Sequence, residues 1–91
     1  MNEQEIISEL EREGFFDVTV HEIEANYDLG QHVNEKPTVH IILSGELIIT
    51  SRRGKKSYTQ GDRVEFRARA KYWSHTGRVG PLRMIVGTKT I

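Results

Sequence analysis

The chain has 91 residues, the size of one domain, and no cysteine, which excludes disulfide staples, thiolate metal sites and cysteine nucleophiles. Its 13 basic and 13 acidic side chains cancel but are segregated: residues 1–45 carry ten Asp/Glu and two Lys/Arg, residues 46–91 three and eleven. No apolar run reaches membrane-spanning length, and the acidic start Met1-Asn2-Glu3-Gln4-Glu5 lacks the basic opening of a signal peptide, so a cytoplasmic protein without membrane contact is expected.

Asn2 to Glu13 reads as a short helix, with Ile6, Ile7 and Leu10 on one stripe and Gly14 placed to stop it. Glu11 and Glu13 oppose the helix dipole at that end, so the helix needs packing to persist. From Phe16 the period changes to two: Val18, Val20 and Glu22 alternate, imperfectly, with Asp17, Thr19, His21 and Ile23. Asn26-Tyr27-Asp28-Leu29-Gly30 is turn chemistry. Thr38 to Leu43 is a continuous β-rich run, broken by Gly45 and resumed at Leu47-Ile48-Ile49-Thr50. Arg52-Arg53-Gly54-Lys55 and Gln60-Gly61-Asp62 form the next two turns.

Residues 63–72 read as one strand, with Val64, Phe66, Ala68, Ala70 and Tyr72 on a buried face. Arg63, Glu65, Arg67, Arg69 and Lys71 take the wet face. Gly77 and Gly80-Pro81 punctuate the turn before a closing strand that starts at Met84-Ile85-Val86. Several short strands after one leading helix argue for a sandwich or barrel. A barrel this small has a limited core and exposed edges, and a homodimer would relieve both.

The stretch from about Glu13 to Lys89 resembles a minimal cupin domain. The phrases that carry the likeness are Leu43-Ser44-Gly45-Glu46-Leu47, Gln60-Gly61-Asp62-Arg63-Val64 and the closing Val79-Gly80-Pro81 followed by Val86-Gly87. The family's first motif places His-x-His and then a glutamate between two glycines. On this chain the glycine positions are Asn26 and Gly45, the histidine positions His32 and Asn34, and the glutamate position Thr38. The second motif opens on Gly61; its proline and glycine positions are Arg67 and Arg69, its histidine position Tyr72 and its asparagine position Thr76. Spacing therefore matches better than residue identity. The resemblance implies an all-β fold: a small cupin-type β-barrel, of the jelly-roll, double-stranded β-helix kind, over residues 15–91, with residues 1–14 as an N-terminal α-helix.

In cupins three imidazoles and a carboxylate usually hold a divalent metal inside the barrel. Here His32, Asn34, Thr38 and Tyr72 stand at those positions, one good ligand among neutral oxygens and a phenol, so a transition metal is not expected to bind tightly. His40 shares the parity of Thr38, and His75 would reach inward if the strand bulged after Tyr72. A rescued metal site of His32, His40 and His75 is the alternative. Against it, His40 in an apolar strand suits a hydrogen-bonded core position, and His21 suits a strand surface.

The expectation is a cupin-fold protein whose interior, lined by His32, Asn34, Thr38, His40 and Tyr72, binds a small molecule without robust metal catalysis. The alternative is a metal-dependent dioxygenase or isomerase built on His32 with His40 or His75. Arg67, Arg69 and Lys71 read as a solvated strand face that a phosphate or carboxylate ligand could exploit. Nucleic-acid binding by residues 52–71 is disfavoured, because Tyr58 and Phe66 are the sole aromatics there. The acidic and basic halves are expected to interleave and neutralise each other.

Overall fold

The computed structural model describes residues 2–90. Helix α1 (Glu3–Arg12) opens on a capping box: the Glu5 N–H donates to Asn2 Oδ1 at 2.8 Å, and the Asn2 N–H donates to Glu5 Oε1 at 3.2 Å. It stops at Gly14, whose φ of 102° is left-handed. Leu10 is buried, and Ile6 and Ile7 pack beside it on Phe15, Val39 and Ile85. The unfavourable charge at the helix end is answered by Arg63, whose Nη2 lies 2.7 Å from Glu13 Oε1.

Eight strands follow: β1 (Phe15–Ile23), β2 (Asp28–Val33), β3 (Thr38–Ser44), β4 (Leu47–Ser51), β5 (Gly54–Tyr58), β6 (Arg63–Phe66), β7 (Lys71–Thr76) and β8 (Leu82–Lys89). They form two four-stranded sheets, β1-β8-β3-β6 and β2-β7-β4-β5, and every pairing is antiparallel. One core lies between the sheets, on Ile42, Leu47, Ile49, Tyr72, Leu82 and Met84. A second lies between α1 and the outer face of the first sheet, on Leu10, Phe15, Val39 and Ile85. Strands β3 and β8 therefore bury both faces, which explains why their sequences run apolar without alternation. Among the described residues no helix is long and apolar enough to cross a membrane.

The all-β expectation holds, with three corrections. First, the two sheets do not close into a barrel. Edge strands β5 and β6 belong to different sheets and share no ladder, so a gap separates them. A second correction concerns residues 63–72. Burial alternates along them as predicted, with Val64 and Tyr72 buried and Arg67 and Arg69 exposed, but they form two strands in two sheets. The chain crosses between sheets at residues 67–70, where the Ala70 N–H donates to the Arg67 carbonyl at 3.1 Å and the Arg69 N–H donates to the Asn34 carbonyl at 2.7 Å. Third, Asp28 to Gly30, which read as turn, open the edge strand β2.

Backbone geometry explains why the motif spacing survives without the motif residues. The four positions where the cupin pattern wants glycine are Asn26, Gly45, Gly61 and Arg69. All four have positive φ, at 58°, 81°, 90° and 61°. Asparagine tolerates this conformation; arginine does so at a cost of roughly 1–2 kcal/mol. At Gly45 a Cβ would also run into the carbonyl oxygen of Pro81. We expect Arg69→Gly to hold or raise stability, by up to about 1 kcal/mol after the entropy cost of glycine. Urea unfolding of the two proteins measures the difference, and a loss would show that the Arg69 side chain supports the turn.

Part of the charge segregation is resolved by the fold. Arg63 bonds Glu13 and Glu65, and Arg83 on β8 bonds Glu3 and Glu22, so basic-half side chains do meet acidic-half ones. The guanidinium of Arg83 holds the Glu3 carboxyl below its usual range, and Arg63 does the same for Glu13.

Candidate functional site

Antiparallel pairing fixes which side chains share the interior. On β2 and β7, His32 stands opposite Tyr72, so both face inward, and their rings stack with centroids 5.5 Å apart. On the facing sheet, Thr38 and His40 of β3 stand opposite Phe66 and Val64 of β6. The two sheets meet at Tyr72 and Phe66, whose rings are nearly parallel, 11° apart, with centroids at 3.9 Å. Phe66 in turn presents its ring to His40 edge-on, at 5.4 Å. The result is a continuous run, His32–Tyr72–Phe66–His40, that bridges one sheet to the other.

Polar groups are few along this run. Asn34 Nδ2 donates to Tyr72 Oη at 3.3 Å, and Thr38 Oγ1 lies 3.5 Å from His40 Nε2. His40 Nδ1 is buried with no hydrogen-bond partner among the described residues. Burial, reinforced by the imidazoles of His21 and His32, lowers the His40 pKa to about 4, so its ring is neutral at physiological pH. Burial also raises the Tyr72 phenol, which stays protonated.

The structure thus brings together His32, Asn34, Thr38, His40 and Tyr72, and it leaves His75 out. No bulge follows Tyr72: β7 pairs with β4 without a break from Thr50↔Trp73 to Leu47↔Thr76. Ser74 and Thr76 are buried, and His75 points to the opposite face, level with Ile48. The irregularity falls on β2 instead, between Asp28 and Gly30. His21, expected on a strand surface, is exposed, but on the side of its sheet that faces the other sheet. It stands opposite Met84, a core residue, because a bulge between Phe16 and Thr19 resets the parity of β1. Its Nε2 lies 2.9 Å from Thr19 Oγ1, and its ring is exposed at the sheet edge.

These residues do not fit the metal that the fold family implies. The interior set holds imidazoles, an amide, a hydroxyl and a phenol, with no carboxylate among them. Among the described residues, no three His, Asp or Glu side chains are placed to hold one ion.

The gap between edge strands β5 and β6 opens into a cleft of about 1300 Å³. Its floor is apolar: Ile49, Val64, Phe66, Ala70 and Tyr72 line it, so the aromatic run reaches its base. The rim comes from the β4–β5 hairpin and the 67–70 turn, and it is basic. Arg67, Arg69 and Lys71 were visible in the sequence as one charged face. Their meeting with the hairpin cations was not, because it needs the two sheet edges to face each other.

An antiparallel two-sheet jelly roll with an open mouth at this position is the cupin fold. Solved structures agree. A cupin superfamily protein of Desulfitobacterium hafniense superposes with a TM-score of 0.71 at 19% identity, over 81% of this chain and 66% of that one. A DUF861 family protein of Thermotoga maritima matches with a TM-score of 0.68 at 19% identity, over 96% and 92% of the two chains. The polyketide cyclase RemF of Streptomyces resistomycificus matches with a TM-score of 0.69 at 16% identity, over 85% and 56%. The chain thus spans about 56–66% of the length of two of these three solved proteins. No protein-family model and no curated protein sequence matches it. The chain is a small protein of cupin fold.

Proposed function

We propose that this protein binds a small organic molecule in the cleft between its sheets, against Phe66 and Tyr72, without metal-based catalysis. The observation that carries the reading is the stacked Phe66–Tyr72 pair at the base of a 1300 Å³ cleft. Ligand sites are concave and mainly apolar, with a few polar groups that fix orientation. Tyr72, whose hydroxyl accepts from Asn34, and the Ser51 and Tyr58 hydroxyls of the lining supply that kind of polarity. A flat molecule laid on the half-buried ring of Phe66 would extend the run of rings already present and gain stacking beyond its buried area.

A panel of neutral aromatic compounds, naphthalene-2-carboxamide among them, tests the reading by thermal melting. A ligand that binds the folded state alone stabilises it by about 2.7 kcal/mol at a hundredfold excess over its Kd. The expected result is a raised Tm with at least one flat member of the panel and no change with aliphatic amides of equal size. No rise with any aromatic compound would contradict the proposal.

The same assay addresses the metal-dependent alternative. Nickel, zinc, manganese and ferrous iron are expected to leave Tm unchanged in the parent protein. A rise that disappears in His32→Ala and in His40→Ala would install the alternative.

A further inference from the structure

We infer that the ligand of the cleft is a small organic anion: a flat, unsaturated body carrying a carboxylate, phosphate or sulfonate group. The inference rests on the cleft being a binding site and adds the chemistry of the occupant. Seven Lys and Arg side chains line the cleft against a single carboxylate, Glu65. That carboxylate is already engaged, since its Oε2 lies 2.8 Å from Arg63 Nη2. The cleft therefore carries a large, locally uncompensated positive charge above an apolar floor.

The missing counter-charge is concentrated at this place: of the ten Lys and Arg side chains without an ion pair among the described residues, seven line the cleft. Elsewhere the fold pairs Arg12, Arg63 and Arg83 with glutamates. Among the described residues, none of the cleft cations has a carboxylate within ion-pair distance, although the chain holds 13 acidic residues. Like charges gathered on facing edges repel each other, and a bound anion relieves the repulsion. Lysines on an edge strand such as β5 also guard against edge-to-edge aggregation. That role does not extend to Arg67 and Arg69, which lie outside any strand.

The turn that carries Arg69 is fixed as well as charged. Its backbone is bonded to the Asn34 carbonyl, and Arg69 occupies a left-handed conformation that glycine would adopt without strain. A strained cationic residue at the mouth of a cleft is the pattern expected where side-chain chemistry outweighs local stability. Lys56 approaches from the opposite wall; its Nζ lies 5.5 Å from the ring centroid of Tyr58. An anion between these walls meets guanidinium donors from the 67–70 turn and ammonium donors from β5. Its apolar body then reaches Phe66 and Tyr72. A nucleic acid fits less well. A bound strand needs several aromatic platforms in succession, and apart from the Phe66–Tyr72 pair the cleft lining offers Tyr58 alone.

The test compares 2-naphthoate with naphthalene-2-carboxamide, which have nearly the same shape and differ in charge, by isothermal titration calorimetry. Charge-assisted contacts favour the carboxylate, and we expect naphthoate to bind at least about tenfold tighter. Added salt is expected to weaken naphthoate and leave the carboxamide unchanged. Arg69→Gly and the double variant Arg67→Gln/Lys56→Gln are expected to erase most of the difference while the carboxamide still binds. Arg78→Gln, which removes an equal charge away from the cleft, is expected to preserve it. Equal affinity for the two compounds overturns the anion inference and leaves the cleft reading standing. Binding of neither compound removes the cleft reading itself. Tighter binding of a short single-stranded oligonucleotide that displaces naphthoate overturns the inference in favour of a nucleic-acid partner.

Discussion

Tyr72→Ala is expected to lose about 3–5 kcal/mol of folding stability, the largest effect of any single substitution considered, while Tyr72→Phe loses about 1 kcal/mol. Tyr72 is 4% exposed and belongs to the core between the sheets. It is also a place where the two sheets touch through parallel rings, at 3.9 Å from Phe66. Truncation removes the ring's transfer energy, opens a cavity and unstacks both Phe66 and His32. The phenylalanine variant keeps all of that and gives up one long hydrogen bond, from Asn34 Nδ2 at 3.3 Å. Urea unfolding followed by the fluorescence of Trp73, which is half-exposed on the outer face of β7, measures both. A loss in Tyr72→Phe equal to that in Tyr72→Ala would mean that the hydroxyl, and not the ring, holds the sheets together.

Acid is expected to weaken the fold chiefly through His40. Its folded pKa lies near 4 against an ordinary 6.5. Between these values the unfolded chain takes up a proton at this position that the folded chain refuses. The contribution of neutral His40 is thus fully present above pH 6.5, falls as pH drops toward 4 and then levels off. The total change is about 3 kcal/mol. Glu3 and Glu13, held below their usual 4.5 by arginine, add an acid sensitivity in a lower window. The two sources separate in His40→Leu. That variant removes the buried nitrogen with no partner and should be neutral or stabilising at neutral pH. Its stability should be nearly flat between pH 6.5 and 5, where the parent declines. Urea midpoints across that range decide the matter; parallel slopes in parent and variant would show that His40 does not carry the effect.

How far the sequence revealed this fold depends on which residues are asked. The interior positions of residues 63–72 were legible because alternation of burial is a local property. The break between β6 and β7 was not, because Arg67-Ala68-Arg69-Ala70 keeps the alternation through the turn and holds no glycine or proline. Arg69 takes the left-handed conformation that a glycine would have advertised. Strand β2 was missed for a related reason: Asp28, Gly30 and Gln31 are turn-like and polar, and an edge strand needs no apolar run.

The histidines show the limit more sharply. His32 and His40 follow from spacing and parity. The place of His75 depended on where the bulges fell, and a single extra residue turns every later side chain to the other face. Asp17, with φ of 50°, marks the bulge that shifts the register of β1 before His21, and nothing in its identity announces it. The basic cleft was half legible. The cations stand out along residues 52–71, but their convergence requires β5 and β6 to be facing edges of different sheets.

The central claim is that a small molecule lies on the Phe66–Tyr72 pair. Chemical-shift mapping with one melt-stabilising aromatic compound tests it most directly, using a protein labelled at its aromatic and histidine rings. Saturable shifts are expected at Phe66, Tyr72 and His32, at the inner face and cleft floor, with Trp73 and His75 on the outer face unmoved. Shifts confined to Trp73, His75 and their neighbours, with Phe66 and Tyr72 silent, would contradict it.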